Sequence, residues 1–466
     1  MNAQDLERWG VPKGDATRAA FQIIKRLMNE AVSPETVRSQ LLNVIRKPDE
    51  YIEHLHWAPL ADELLSAPKF TPRKEPAPWR QWGDDLDDNA IEQMRNACDL
   101  PVAVAGALMP DAHLGYGLPI GGVLATNNAV IPYAVGVDIA CRMKMTVLDI
   151  PLRELQDERG RQRLTTAIDK ETRFGTGAEF QKNHKRQHAV LDRDWSVSEV
   201  TSHLKPKAWA QLGTSGSGNH FVEFGELTIE NQTELGLAPG TYLALLSHSG
   251  SRGTGAAVAG RYSKLAMQQH PELPDHLKHL AWLDMDTELG QEYWAAMNLM
   301  GEYAAANHAC IHQHVAKHLG AEVLLDVENH HNFAWKEIHD GREVYVHRKG
   351  ATPAGEGALG IIPGSMASSA YIVRGKGQPE SLHSASHGAG RVMSRTKAKQ
   401  SLDWKAANAL LKERGVTLLS AGIDEVPMVY KDIEEVMGAQ SDLVDKLARF
   451  QPRLVKMAEA GERPED

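Results

Sequence analysis

From about Trp79 onward, short apolar or β-branched runs recur, and each one stops at a glycine-rich or polar turn. Runs of this length between turn residues are typical of buried strands. Two longer segments, about Leu289–Leu319 and about Trp404–Arg414, predict helices because a glycine follows each of them. We therefore predict an α+β fold with a mixed β-sheet core. The runs interpreted as strands are AVIPYAVGVDI (129–139), TYLALLS (241–247), AEVLLDV (321–327) and VYVHR (344–348).

The first 70 residues differ in texture from the rest of the chain. Between Thr17 and Arg46, two amphipathic segments predict short helices, and Ser33-Pro34-Glu35 is a typical start for the second one. The segment 68–78 (PKFTPRKEPAP) places four prolines among charged residues and is typical of a linker. We expect a short helical N-terminal extension over 1–70, a single large domain over 71–456 and a frayed tail over 457–466.

Charge and cysteine content exclude several classes of protein. With 51 Lys and Arg against 61 Asp and Glu, the net charge is −10. This excludes a polybasic coat for nucleic acid but not a local basic cleft. The three cysteines form no C-x-x-C pair, which excludes a disulfide framework and fits a reducing cytoplasm. Neither a leader peptide nor a long apolar stretch is visible, so we expect a cytoplasmic protein that does not contact membranes.

Side chains of metal-ligand type fall where the apolar runs end or in glycine-flanked turns. A carboxylate, a thiolate and three imidazoles exceed the four positions of a closed zinc site, whereas a thiolate can bridge two cations about 4 Å apart. This predicts a two-ion site. Taken alone, Asp138 and Cys141 would equally fit a turn cap and a small buried hydrophobe. The full set of candidates is Asp138, Cys141, His220, His248, His331 and His387.

Glycine clusters with neighbouring basic residues are a second, independent indication. Segments 213–220, 248–255, 348–360, 361–366 and 386–391 offer backbone N–H groups that can line an anion site, and phosphate is the natural ligand. None matches the P-loop or the dinucleotide-binding fingerprint. Without the basic residues, tight turns in a glycine-rich β structure would explain these clusters equally well.

Two further patterns carry little functional weight. His308 and His312 are spaced for zinc on a helix, but the intervening residues lack the glutamate of a metalloprotease, which favours a packed or solvated helix face. Ser247 and Ser249 flank His248 without a nucleophile elbow, so their hydroxyls are expected to serve the backbone.

Seven segments together resemble the RtcB family of RNA-splicing ligases, in both order and spacing, from about Trp79 to Lys456. The segments are MPDAHLGYGLPIGGV (109–123), AVGVDIAC (134–141), LGTSGSGNHFVE (212–223), HSGSRG (248–253), HHNFAWKE (330–337), HRKGATPAGEGALGIIPGSM (347–366) and SHGAGRVMSRTKAK (386–399). The resemblance implies an RtcB-like catalytic domain that uses GTP and two Mn²⁺ ions. Such an enzyme joins an RNA 3′-phosphate or 2′,3′-cyclic phosphate end to a 5′-hydroxyl end.

The resemblance also implies roles for individual residues. Cys141 is similar to the bridging thiolate, with Asp138 and His220 on one ion and His248 and His331 on the other. His387 resembles the nucleophile that takes GMP from GTP. Residues similar to those that hold the guanylate are Asn219, Glu223, Ser365, His387, Arg391, Tyr430 and Lys456, with Glu223 accepting hydrogen bonds from the guanine edge.

The chain departs from the family pattern at four positions, which keeps alternatives open. Ala140 and Arg142 flank Cys141 where the family has glycine, and a glycine position with positive φ would have to be reshaped. Ala367 and Ala370 replace a glycine and a serine in the guanylate loop. The alternatives are a transferase that caps RNA or DNA 3′-phosphate ends with GMP without joining them, and a catalytically impaired, metal-bearing protein that binds nucleic-acid ends. An activating protein partner and a monomeric or small oligomeric state are further expectations.

Overall fold

A computed structural model describes residues 2–12, 14–66, 70–232 and 234–462. The chain divides into two compact units, one within Met1–Thr71 together with Met267–Lys278, the other comprising Pro72–Ala266 and His279–Asp466. Helices and sheets occur side by side in the larger unit, so the predicted α+β class is confirmed. Within the described residues, no helix combines the length and apolar character needed to cross a membrane.

The main sheet of the larger unit is mixed but largely antiparallel. Near one end of this sheet, the strand Arg142–Leu148 pairs on one side with Gly240–Ser249 and on the other with Val323–His330. Each residue faces a fixed partner in this register, so the ends of these three strands meet at one place. The sheet runs in the order Leu359–Ile362, Ala370–Gly375, Val444–Met457, Phe221–Ile229, Gly240–Ser249, Arg142–Leu148 and Val323–His330, with Thr417–Ser420 parallel to Val444–Met457.

A second sheet packs on the first through a shared apolar core that includes Met109, Val123, Val346, Ile362 and Val373. Burial of such side chains contributes about 25 cal/mol per Å². The second sheet has the order Trp79–Gln81, Ala103–His113, Ile120–Thr126, Arg342–Lys349 and Phe333–His339; two small sheets pair Ala351–Pro353 with Ser384–Ser386 and Ala129–Val130 with Leu283–Asp284.

Helices pack on the strands Phe221–Ile229, Gly240–Ser249 and Arg142–Leu148 of the main sheet, through an apolar core that includes Leu245 and Ile311. The longest, Glu288–Leu319, begins at the side-chain cap of Thr287 and ends at Gly320, whose φ of 62° is left-handed. This confirms the predicted helix and its stop signal, and Gly415 likewise follows Trp404–Glu413 with φ +67°. The remaining α-helices after residue 72 are Asp88–Cys98, Pro132–Val135, Arg153–Gln156, Glu158–Glu171, Glu199–Gln211, Arg252–Gln269, Arg395–Ser401 and Ile433–Ala439.

The smaller unit is helical and has its own apolar core, in which Leu27, Leu41, Trp57 and Leu60 are buried. Its helices are Ala3–Arg8, Asp15–Asn29, Pro34–Arg46 and Ala58–Ser66, with a 3₁₀ turn at Pro48–Tyr51. The hydroxyl of Ser33 accepts from Thr36 N, as expected for a cap.

The segments expected to be a linker and a tail lie partly outside the described residues, which omit 67–69 and 463–466. Residues 70–78 contain neither helix nor strand, and the last strand ends at Met457. The assignment of 1–70, 71–456 and 457–466 as separate parts stays a prediction.

One predicted strand is wrong. Of the run 129–139, only Ala129–Val130 is a strand, and Pro132–Val135 forms a helical turn. Proline fixes φ at a helical value and supplies no N–H for a sheet ladder, which explains why Pro132 opens a turn instead.

Candidate metal centre and nucleophile

Three of the candidate metal ligands come from the meeting ends of three adjacent strands of the main sheet. Cys141 directly precedes the strand Arg142–Leu148, His248 is the penultimate residue of Gly240–Ser249, and His331 follows Val323–His330. His331 N donates to Cys141 O at 2.8 Å, which fixes the two chain segments relative to each other. The sequence pattern predicts that Asp138 and Cys141 follow a strand, but in the structure they precede the strand Arg142–Leu148.

Cys141 lies at the centre of a group of buried donor atoms. Its Sγ is 3.4 Å from His220 Nε2 and 3.1 Å from His248 Nε2. His248 Nε2 is in turn 3.2 Å from His331 Nε2. The structure thus brings together two triplets that share the sulfur, Cys141–His248–His331 and Asp138–Cys141–His220.

The Asp138 carboxylate is held by one oxygen and leaves the other for a ligand. Oδ1 accepts from Ser251 N at 3.1 Å, while Oδ2 lies 3.1 Å from His220 Nε2 and is buried without a hydrogen-bond donor. A methyl group on Gly250 would lie 2.0 Å from Oδ2, so glycine is required there. A buried carboxylate oxygen left open in this way is suited to a cation.

Two of the three imidazoles, those of His248 and His331, are held in the neutral form that binds metals. Burial lowers the pKa of His248 to about 3, and burial together with neighbouring imidazoles holds the pKa of His331 well below its ordinary value. His248 Nδ1–H donates to Asn219 O at 3.1 Å, which leaves the lone pair on Nε2, beside the sulfur.

The donor set fits two cations better than one. One sulfur, three imidazole nitrogens and one carboxylate oxygen form two overlapping triplets of ligand atoms. Each triplet leaves positions open for substrate or water, as in catalytic rather than structural metal sites. The chemistry of these atoms suits zinc or manganese, with equilibrium affinity favouring zinc.

His387 stands next to this cluster, its ring centroid 4.8 Å from that of His331. Its Nδ1 is 2.7 Å from Oδ2 of Asp111, a fully buried carboxylate. Nδ1–H therefore donates to Asp111, and the lone pair of His387 is on Nε2. This is the protonation state that a nucleophilic imidazole needs.

Asp111 is a functional residue that sequence reasoning missed. It lies 276 positions from His387, on a strand whose register shifts between Leu108 and His113. The irregularity accompanies a buried carboxylate within an apolar strand. An aspartate inside an apolar run is the signal in the sequence that could have pointed to Asp111.

Ala140 and Arg142, which flank Cys141 where the family has glycine, are accommodated in different ways. Ala140 adopts φ +55°, so this position does use the left-handed conformation for which glycine is the natural residue. Arg142 does not enter the metal cluster: its guanidinium is buried on the other face of the strand and pairs with Glu328 at 3.1 Å.

Among the candidate guanylate residues, Asn219 and Glu223 adjoin the cluster: Asn219 O accepts from His248, and Glu223 lies two residues after Phe221, the register partner of His248. Glu223 pairs in register with Val455, whose apolar neighbours include Met366 of the Ser365 loop. Glu223 is buried, and burial raises the pKa of its carboxyl well above the ordinary value. The side-chain oxygen of Asn219 is buried without a hydrogen-bond donor.

The other candidates are engaged with protein groups. Arg391 stacks over Tyr430 at 5.5 Å, and both contact Glu425. Lys456 is paired with Asp169 and lies opposite Val222 rather than Glu223, so its ammonium is directed to the other face of the sheet. The structure therefore does not bring Lys456 beside Glu223.

His308 and His312 belong to a buried layer under the cluster, on a packed helix face as predicted. Ser247 Oγ bridges His308 Nδ1 at 2.7 Å and His312 Nε2 at 2.8 Å. The hydroxyl of Ser247 thus serves these two side chains rather than the backbone, contrary to expectation. Ser249 Oγ does contact a backbone carbonyl, that of Thr214, at 3.4 Å.

An open cluster of metal-type ligands with an oriented histidine beside it is the arrangement expected of a metal-dependent group-transfer enzyme. The family model described as tRNA-splicing ligase RtcB matches residues 93–457. The chain is 36% identical over 406 residues to the RNA-splicing ligase RtcB of Escherichia coli K12, covering 80% of this chain and 95% of the relative. It is 33% identical over 441 residues to the tRNA-splicing ligase RtcB of Nanoarchaeum equitans, with 78% and 91% covered. The chain belongs to the RtcB family of tRNA-splicing ligases, and the family and enzyme class predicted from the sequence are confirmed.

Proposed function

We propose that the protein joins an RNA 3′-phosphate or 2′,3′-cyclic phosphate end to a 5′-hydroxyl end, using GTP, two Mn²⁺ ions and a guanylate carried on His387. The observation that carries the proposal is the position of His387: its Nδ1 is bound to Asp111, and its ring is 4.8 Å from that of the candidate ligand His331. A nucleophile oriented beside cation ligands is what phosphoryl-group transfer requires.

In the first step, His387 Nε2 attacks the α-phosphorus of GTP. The N–P bond forms as the bond to the β-phosphate oxygen breaks, and pyrophosphate leaves. Asp111 accepts the hydrogen bond from Nδ1–H and stabilises the positive charge that develops on the ring. Arg391, which would have to exchange its contact with Glu425, is positioned to approach the transferred phosphate.

In the following steps, the RNA 3′-phosphate takes GMP from His387, and the 5′-hydroxyl then attacks the activated 3′-phosphorus. The N–P bond breaks as the phosphoanhydride forms, and GMP leaves when the RNA strands are joined. A cyclic phosphate must first be opened by water to give the 3′-phosphate. Lys349 is the basic side chain that would hold that phosphate, because it precedes Gly350, where a methyl group would lie 3.1 Å from His387 Cε1.

Asp138, Cys141 and His220 would hold one Mn²⁺ ion, and His248, Cys141 and His331 the other. When bound, these ions supply positive charge to the phosphate oxygens during transfer. The open Asp138 Oδ2 and the neutral imidazoles of His248 and His331 support this assignment. Guanylate binding by Asn219, Glu223, Ser365, Arg391, Tyr430 and Lys456 is part of the same proposal, as is a cytoplasmic location; Lys456 would first have to leave Asp169 and turn to the other face of the sheet.

Analysis of the products separates this function from its alternatives. The purified protein is incubated with Mn²⁺, GTP, a labelled 3′-phosphate RNA and a 5′-hydroxyl RNA. We expect a joined strand with a linkage resistant to phosphatase. A strand that ends in GMP and is never joined would instead indicate capping, and RNA binding without any covalent product would indicate an end-binding protein.

A further inference from the structure

The loop between the strands Ala103–His113 and Ile120–Thr126 presents two apolar side chains to solvent. Leu114 is 55% exposed and Tyr116 is 69% exposed. The surrounding segment 113–122 (HLGYGLPIGG) contains no acidic residue, although the chain as a whole has a net charge of −10. The loop is therefore a neutral, partly aromatic surface that does not repel a polyanion.

The backbone of this loop is fixed on three sides despite the exposure of its side chains. Gln93 clamps Gly115 through both amide atoms, at 2.6 and 3.0 Å. Lys349 Nζ donates to Tyr116 O at 2.6 Å. A methyl group on Gly117 would lie 2.7 Å from the carbonyl oxygen of His279, so the loop is also in close contact there. An exposed aromatic ring on a fixed backbone loses little conformational entropy when a ligand binds to it.

Two further rings support Tyr116 from behind. Its ring centroid is 5.6 Å from that of His279, which meets Tyr133 edge-on at 4.6 Å. Edge-to-face contacts of this kind hold aromatic rings in defined orientations. Most of Tyr116 remains accessible to a ligand, since 69% of the residue is exposed.

This aromatic group adjoins the candidate nucleophile. Lys349, which contacts Tyr116, is followed by Gly350, where a methyl group would lie 3.1 Å from His387 Cε1. A nucleotide with its phosphate near Lys349 and His387 would therefore have its base within reach of Tyr116. Bases stack on aromatic side chains irrespective of sequence, which suits an enzyme that acts on RNA ends.

We propose that Tyr116, supported by His279 and Tyr133, is a stacking site for the unpaired base of the nucleotide that carries the RNA 3′-phosphate. The inference rests on the proposed function. It assigns to this chain a base-binding group that is separate from the guanylate residues and from the metal ligands.

The proposal is tested by changing both the side chain at position 116 and the terminal base of the RNA, and by measuring binding for each combination. The probes are two fluorescent oligoribonucleotides with 3′-phosphates, identical except that one lacks the base of its terminal nucleotide. Their Kd values are measured by anisotropy, without GTP, for the wild type, Tyr116→Ala and Tyr116→Phe. In the wild type, we expect loss of the base to weaken binding about tenfold. Tyr116→Ala should bind the intact RNA about tenfold more weakly and should no longer distinguish the two probes, whereas Tyr116→Phe should behave as wild type.

The matched control is Ile338→Ala, which removes a similarly exposed apolar side chain, 64% exposed, from the strand Phe333–His339. We expect it to retain the full difference between the two probes. The inference is overturned if Tyr116→Ala still distinguishes the probes about tenfold, or if the wild type does not distinguish them. Formation of the His387 guanylate adduct is measured on the same variants and should be unchanged in Tyr116→Ala. Failure of the proposed function would appear as absence of the adduct in the wild type, and is thus separable from failure of the stacking site.

Discussion

The candidate metal centre and the proposed guanylate site differ in how far their side chains are already committed to other partners. Around Cys141, the Nε2 atoms of His248 and His220 lie 3.1 and 3.4 Å from the sulfur, and Asp138 keeps one buried oxygen open. By contrast, Arg391 and Lys456 are bound to carboxylates of the protein. The metal centre is thus preorganised, whereas nucleotide binding would require exchange of ion pairs.

The difference has a physical origin in the fold. The candidate ligands Cys141, His248 and His331 lie at the ends of three hydrogen-bonded strands, where register fixes their relative positions. Arg391 and Tyr430 lie in loops joined by an isolated bridge. Loops can rearrange when a ligand repays the lost contacts, so the two sites should respond differently to substitution.

The largest effect is expected from Cys141→Ala. Because both ligand triplets share the sulfur, this variant should lose both ions and form guanylate adduct on the order of 10³-fold more slowly. Metal content by mass spectrometry and single-turnover labelling check this. Cys310→Ala is the control, since Cys310 is a buried thiol whose pKa burial raises to about 11. If Cys141→Ala retained two ions, the Cys141 sulfur would not be the ligand that both ions share.

Asp111→Asn tests whether the preorganisation extends to the nucleophile. The amide cannot hold Nδ1–H as a carboxylate does, so adduct formation should slow by roughly 10³-fold while metal content stays normal. Asp340→Asn, in an exposed turn, should react as wild type. An unchanged rate in Asp111→Asn would show that the buried carboxylate does not orient His387.

The pH dependence of guanylate binding further distinguishes the proposed guanylate site from the candidate metal centre. Burial raises the pKa of Glu223, so its carboxyl is neutral at low pH and cannot accept two hydrogen bonds from guanine. Nucleotide affinity should therefore increase as pH rises through this pKa. Titration of a labelled guanosine nucleotide from about pH 5 to about pH 9 checks this. Glu223→Gln should flatten the profile, whereas Glu226→Gln on the same strand should not.

The buried Glu223 carboxyl also makes the free energy of unfolding depend on pH. A carboxyl with a raised pKa binds its proton more tightly in the folded state than in the unfolded state. Its contribution is fully present below the ordinary pKa of glutamate and is lost as pH rises through the folded pKa. The pH dependence of the free energy of unfolding should therefore be weaker in Glu223→Gln than in the wild type.

The smallest effect is expected at Ala140, whose φ of +55° is unfavourable for any residue with a Cβ. Ala140→Gly should stabilise the protein by about 0.5–1 kcal/mol, because relief of this strain exceeds the entropy cost of glycine. Chemical denaturation measures this. Ala134→Gly, in the helical turn Pro132–Val135, should instead be destabilising. Stabilisation by both substitutions would contradict the assignment of strain to Ala140.

The residues that the structure brings together around Cys141 were named from the sequence because ligand-type residues at the ends of apolar runs are a local signal. The long helix and its stop at Gly320 were predictable for the same reason. Asp111 was not predictable, because its role depends on a partner 276 positions away. The orientation of Lys456 was likewise missed, since the pairing of Val455 with Glu223 sets which face of the sheet it occupies. The turn at Pro132 was recoverable from proline geometry alone.

The most direct test of the account is incubation with α-labelled GTP and Mn²⁺, followed by a denaturing gel. We predict a labelled protein whose label is lost in acid and survives base, as expected of a phosphoramidate. The label should be absent from His387→Ala and present in His383→Ala, a histidine four positions away whose ring packs on His339. Absence of label from the wild type with manganese, zinc and cobalt, or equal labelling of His387→Ala, would contradict the assignment of His387 as the guanylate carrier.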